Sequence, residues 1–149
     1  MPAVRAMAFF CEDVREELAG THSVIGVLPD NINMPLVPGM MPKLGLYVRL
    51  MVEPHAAIGP LAILLVFPNG HEQEVNKLEG AVIEKAQKEA EAAGLPFGGV
   101  VAKVVMSPFP ILAFGRIKAV LRGSDGDTLC ATLNFQKEAT STTAPAPPV

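Results

Sequence analysis

The fold is decided by the stretches AMAFFCEDVREE at residues 6–17 and HSVIGVLPDN at residues 22–31. In the first stretch an apolar run passes into a charged run, and a second apolar run follows a break at Ala19-Gly20. Both faces of residues 6–11 are apolar, which is typical of a strand in the middle of a sheet or beneath another layer. The pattern predicts a β-hairpin whose first strand leaves a core and enters solvent.

The clearest single strand is LGLYVRLMVE at residues 44–53, where side chains alternate with a period of two. Its even-numbered residues are leucine and valine, while Tyr47 and Arg49 lie on the opposite face. Residues 61–67 form another apolar run, and Asn69-Gly70 is a hairpin turn signal after it. We therefore expect a returning arm over residues 71–75 and a meander with the strand before it.

The hydrophobic period then changes to that of an amphipathic helix. Leu78, Val82, Ala86 and Ala90 are spaced by four, and charged residues lie between them. This predicts a helix over about residues 77–93, with Asn76 and Glu79 as a capping box and Gly94 and Pro96 as its end.

Strand signals return after the helix. Residues 100–106 are β-branched, residues 107–114 form a proline-broken link expected at a sheet edge or corner, and residues 115–135 form a hairpin. On its last strand we expect one face to point inward, formed by Leu129, Ala131, Leu133 and Phe135. We expect Cys130 on the opposite face.

These elements predict a mainly β fold, a two-sheet β-sandwich (Ig-like or C2-like) with one inserted helix. A partly open β-barrel is the alternative. The sequence is consistent with a single domain over residues 1–136 and a disordered Thr/Ala/Pro tail over residues 137–149.

Composition limits the classes of partner. Of the 149 residues, 50% are hydrophobic and the mean hydropathy is +0.35, which favours a face covered by another subunit. The net charge is −3 and no long Lys/Arg stripe occurs, so a nucleic acid or an anionic membrane lacks its electrostatic signature. No apolar run approaches 18 residues and no signal-peptide layout is visible, so we expect a cytoplasmic protein.

No motif for catalysis, metal binding or cofactor binding is present. The acidic residues Glu12, Asp13 and Asp30, with His22 nearby, could form a cation site or an acid–base pair, but a solvated strand end is the simpler interpretation. The three histidines have no ligand spacing: His22, His55 and His71. We therefore expect no cofactor and no metal.

The two cysteines, Cys11 and Cys130, both lie in predicted strands. They are interpreted as reduced core thiols. A disulfide between neighbouring strands is the alternative in an oxidising compartment.

The chain resembles a family of small bacterial proteins of unknown function. The resemblance rests on FFCEDVREE at 9–17, IGV at 25–27, PDN at 29–31 and PKLGLYVR at 42–49, and extends loosely to the hairpin after Phe114. It implies a compact β-rich protein and assigns no activity or site residue.

The leading hypothesis is a non-enzymatic protein that acts through protein–protein contacts, binding itself or another protein. Its recognition surface would comprise Glu12, Asp13, Arg15, Asp30, Tyr47 and Arg49. The alternative is a small-ligand-binding protein with a pocket between sheet and helix, lined by Tyr47, Arg49 and the Glu12/Asp13 end. A metal-dependent hydrolase at the acidic strand end is the third hypothesis.

Overall fold

The computed structural model describes residues 2–139 as a mainly β fold. The elements in chain order are β1 (Val4–Glu16), β2 (His22–Val27), β3 (Asn31–Met34), β4 (Gly39–Met41), β5 (Leu44–Val52), β6 (Leu61–Val66), β7 (Glu72–Leu78), α1 (Gly80–Ala92), β8 (Gly98–Met106), β9 (Phe109–Ile111), β10 (Gly115–Gly123) and β11 (Gly126–Lys137). Within residues 2–139, no helix is long and apolar enough to cross a membrane.

Two larger sheets enclose the core. The four-stranded sheet has the order β2-β1-β5-β8, and the five-stranded sheet has the order β3-β11-β10-β6-β7. One hydrophobic cluster joins β5 to β6, β10 and β11 across the space between them. The predicted β-sandwich with one helix is confirmed, and the described strands do not close into a barrel. The proline link contributes β9, which pairs with β4 in a separate two-stranded sheet.

Strand β5 is the centre of the four-stranded sheet. It pairs with β1 on one side and with β8 on the other. Its even-numbered residues are buried, and Leu44, Leu46, Leu50 and Val52 have no exposed surface. The period-two alternation therefore identified the core face of this strand correctly.

The three predicted hairpins are confirmed: β1 pairs with β2, β6 with β7, and β10 with β11. Strand β1 pairs with β2 so that Cys11 lies opposite Val27, and β6 pairs with β7 across the Asn69-Gly70 turn, where Gly70 has φ +86°. The predicted meander is wrong, because residues 53–60 carry the chain from one sheet to the other and β6 pairs with β10 instead of β5.

Helix α1 begins later than predicted. Asn76 and Leu78 belong to β7, and the N-cap residue Glu79 makes no side-chain capping bond, so the predicted capping box is wrong. The Asn76 amide instead donates a hydrogen bond to the Lys103 carbonyl (3.5 Å). Strand β7 pairs with β6, and this tertiary contact outweighs the local sequence preference for a helix start.

A β-bulge changes the inward face of the last strand. Pairing shifts between Ala119, which faces Ala131, and Val120, which faces Leu129, so Cys130 is the extra residue. Leu129 is 58% exposed, whereas Cys130 is half-buried and packs against the core. The predicted inward position of Leu129 and outward position of Cys130 are therefore wrong, since one extra residue reverses the alternation.

The C-terminal boundary lies slightly beyond the predicted one. Strand β11 extends to Lys137, and the backbone N–H of Glu138 donates to the Met34 carbonyl (2.8 Å). The rest of the predicted tail, residues 140–149, lies outside the described residues.

Candidate interaction surface

The side of the four-stranded sheet that points away from the core is largely apolar. Cross-strand pairing aligns Met7 with Arg49 and Val101, and Phe9 with Tyr47 and Lys103. We call this surface the outer face and define it as Met7, Phe9, Tyr47, Arg49, Met51, Val101, Lys103 and Val105.

Five large hydrophobic side chains of the outer face are exposed. Met7 is 51% exposed, and the other four are between 38% and 39% exposed: Phe9, Met51, Val101 and Val105. They come from three adjacent strands, and cross-strand pairing places Arg49 between Met7 and Val101 and Arg5 beside Met51. The outer face is therefore a mixed apolar and cationic surface. Large apolar side chains exposed together on one face of a sheet favour an interaction site.

One end of the outer face is covered by the far part of the β1–β2 hairpin, residues 12–26, which we call the hairpin arm. The Glu16 carboxylate lies 3.1 Å from Lys103 Nζ, and the His22 ring meets the Tyr47 ring edge-on at 6.0 Å. The arm therefore curls back over the sheet.

Gly45 makes room for this curl. A Cβ atom built on Gly45 would lie 2.8 Å from Cys11 Sγ and 3.6 Å from Val14 Cγ2. Cys11 points to the side away from the core and still has no exposed surface. Burial and the nearby Asp13 charge raise the pKa of the Cys11 thiol, which disfavours the thiolate needed of a nucleophile.

The six residues predicted as a recognition surface separate into three groups. Tyr47 and Arg49 lie in the middle of the outer face. On the hairpin arm Glu12 and Arg15 are exposed, and Asp13 lies 3.6 Å from Lys43 Nζ and 3.8 Å from Arg15 Nε.

Asp30 belongs to a different part of the molecule. Its carbonyl accepts a hydrogen bond from Asn134 N–H (2.8 Å), at the start of the β3–β11 pairing in the five-stranded sheet. The predicted surface thus contributes two residues to the outer face and three to its border.

The acidic strand end is the place where the sequence suggested a metal site. Across residues 2–139, no three histidine, cysteine or carboxylate side chains are grouped so that they could hold a metal ion. Glu16 pairs with Lys103. The hydrogen bond from Lys103 and its positive charge lower the pKa of the Glu16 carboxyl. Both cysteines are free thiols, and burial also raises the pKa of Cys130.

A cavity of about 520 Å³ lies elsewhere, between the β6–β7 turn and the corner formed by β8 and β9. It is lined by residues that include Phe67, His71, Gln73, Met106, Phe109 and Ile111. The predicted pocket lay between sheet and helix, with Tyr47, Arg49 and the Glu12/Asp13 end as its lining. None of these residues lines this cavity. The sequence shows the Asn69-Gly70 turn and the proline breaks at Pro108 and Pro110. Nothing in the sequence indicates that the two segments lie close together in the fold.

Comparison with known families gives one match. The model of a family described as a family of unknown function (DUF6941) matches residues 6–122. The matched segment includes the strands of the outer face and ends within β10. No curated protein and no solved structure matches the chain.

Proposed function

This chain belongs to the family of unknown function DUF6941, which assigns no activity, and from that premise we propose that the protein acts through protein–protein contact, with the outer face binding a second copy of the chain. The observation that carries the proposal is the set of exposed methionine, phenylalanine and valine side chains around Tyr47 and Arg49. Methionine, aromatic residues and arginine are enriched at interfaces, and tyrosine and arginine at their energetic hot spots.

A second copy suits the shape and chemistry of this surface. Two sheet faces stack at about 10 Å with their side chains interdigitated, as the sheets of a sandwich do. An interface around a two-fold axis must be complementary to itself, and apolar side chains meet this condition without pairing of opposite charges. The formal net charge of −3 gives only weak repulsion between copies.

The hairpin arm would form the polar border of this interface. Glu16 and Lys103 are already paired there, so neither charge needs a partner from the other copy. Interfaces commonly combine an apolar centre with such a polar rim.

Light scattering after size-exclusion chromatography tests the proposal. The chain has a mass of 15.7 kDa, and we expect a dimer mass at micromolar concentration. Met51→Lys with Val101→Lys should give the monomer mass, because each change replaces an apolar side chain beside Arg49 with an ammonium group. The matched control is Leu129→Lys, which changes an exposed leucine of the five-stranded sheet and should leave the dimer intact. A wild-type protein that stays monomeric at high micromolar concentration would falsify the proposal.

A further inference from the structure

The cavity between the β6–β7 turn and the β8–β9 corner is separate from the outer face. Its volume of about 520 Å³ lies within the range of about 300–1,000 Å³ that small-molecule sites occupy. The turn is held in place, because the Pro68 ring packs against Gly115 so closely that a Cβ atom there would lie 2.9 Å from Pro68 Cβ. This contact fixes the wall of the cavity that the turn provides.

Its polar and apolar groups are segregated. The polar lining residues Asn69, His71 and Gln73 all come from the turn and the start of β7. The facing wall comes from the end of β8 and the β9 corner and is apolar, with Met106, prolines, Phe109 and Ile111. A ligand that matches both walls has an apolar body and a hydrogen-bonding group on one edge.

The aromatic rings add a requirement for shape. Phe67 stacks with two rings: Phe109 at 6.3 Å with an angle of 16°, and His71 at 5.9 Å with an angle of 28°. Phe109 is only 4% exposed, so packing fixes the plane of its ring. All three rings line the cavity, and aromatic ligands pack on such rings in offset or edge-on geometry.

We propose that the cavity is a binding site for a planar aromatic small molecule that carries one hydrogen-bonding group. The aromatic body lies against Phe67, Phe109 and Ile111, and the polar group points to His71 and Gln73. The site operates independently of self-association, since no residue of the outer face lines it.

Binding of 2-naphthol to the full chain tests this proposal, with amide chemical shifts in NMR as the readout. We expect saturable shifts at residues 67–73 and 106–113. The saturated analogue 2-decalol has a similar outline without a flat ring, and we expect it to bind at least tenfold more weakly. Naphthalene lacks the hydroxyl group, and its affinity should also fall.

Two variants place the ligand in the cavity. Ala113 is an exposed lining residue, so Ala113→Phe fills the cavity from its rim and should weaken 2-naphthol at least tenfold. Ala81→Phe, on the exposed side of helix α1, is the matched control and should leave the affinity unchanged. Gln73→Ala should weaken 2-naphthol and leave naphthalene unaffected.

Three results would overturn the proposal. The first is no binding of 2-naphthol at millimolar concentration, and the second is shifts confined to the outer face. The third is equal affinity for 2-decalol, which would remove the requirement for a planar ring. A peptide of residues 144–149, APAPPV, provides a further comparison, because proline-rich segments also dock on aromatic grooves. Tighter binding of this peptide at the same residues would replace the small-molecule assignment with a peptide site.

Discussion

Gly45 lies in β5 in close contact with Cys11 of β1, at the base of the hairpin arm. A Cβ atom at this position would lie 2.8 Å from Cys11 Sγ and 3.3 Å from the Cys11 carbonyl oxygen. We expect Gly45→Ala to lower the free energy of unfolding by about 1–2 kcal/mol, because the overpacking outweighs the entropy that alanine removes from the unfolded chain. Urea denaturation measures the difference.

Gly99 provides the matched control for Gly45. It lies in β8 of the same sheet, and a Cβ atom there meets nothing within 4 Å. Gly99→Ala should leave the free energy of unfolding unchanged or slightly raised. Equal losses at the two positions would show that the effect comes from glycine in a strand and not from the contact with Cys11.

The ion pair between Glu16 of the hairpin arm and Lys103 gives the arm a contribution to stability that depends on pH. The Lys103 hydrogen bond and charge lower the folded-state pKa of Glu16 below its ordinary value. A lowered folded-state pKa means that the stabilisation is present above the unfolded-state pKa of about 4.3 and is lost as the pH falls through the folded-state pKa. Glu16→Gln should therefore lower the melting temperature at pH 7, and this effect should shrink as the pH falls and wild-type Glu16 takes up its proton.

The neighbouring carboxylate provides the control for this pH effect. Glu17 is exposed, and its side chain forms no ion pair within residues 2–139. Glu17→Gln should give melting temperatures close to those of the wild type across the same pH range. A Glu16→Gln effect that does not shrink as the pH falls would contradict the ion pair as its cause.

The same elements show what local sequence can predict. The alternation in β5 and the Asn69-Gly70 turn depend on neighbours in the chain, and both were predicted correctly. The start of α1 and the inward face of β11 were predicted wrongly. Asn76 belongs to a strand because it pairs with β6, and Leu129 points outward because of the bulge opposite β10. The first error comes from strand pairing that outweighs a local helix signal, and the second from an extra residue that hydrophobicity does not mark.

At the scale of the molecule, the candidate site was predicted in part. High hydropathy and the two-sided apolar run at residues 6–11 led to the expectation of a covered face, and Met7 and Phe9 do lie exposed on the outer face. Asp30 lies just before β3, beside the other sheet, because β3 pairs with β11 and not with the hairpin. The cavity escaped prediction because its two walls meet only when the sheets pack, and their residues are more than thirty positions apart.

Helix α1 connects the edge strands of the two sheets, β7 and β8, and Gln87 is its buried polar contact. The Gln87 amide donates to the carbonyls of Glu53 (2.8 Å) and Ala56 (2.7 Å), in the segment that also carries the chain between the sheets. Replacing it with methionine keeps the volume and leaves both carbonyls without this donor. A typical intramolecular hydrogen bond contributes about 0.5–1.5 kcal/mol to stability, so losing both bonds through Gln87→Met should lower the free energy of unfolding by about 1–3 kcal/mol.

Chemical denaturation followed by circular dichroism distinguishes two consequences of Gln87→Met. If the helix is an integral part of the sandwich, the variant unfolds in one transition at lower denaturant concentration, with an unchanged slope. Lys88→Met makes the same kind of change on the exposed side of the helix and should have little effect. A separate early transition of the helical signal would instead show that α1 docks on an already stable pair of sheets. A Gln87→Met protein as stable as Lys88→Met would show that the two hydrogen bonds do not hold the helix in place.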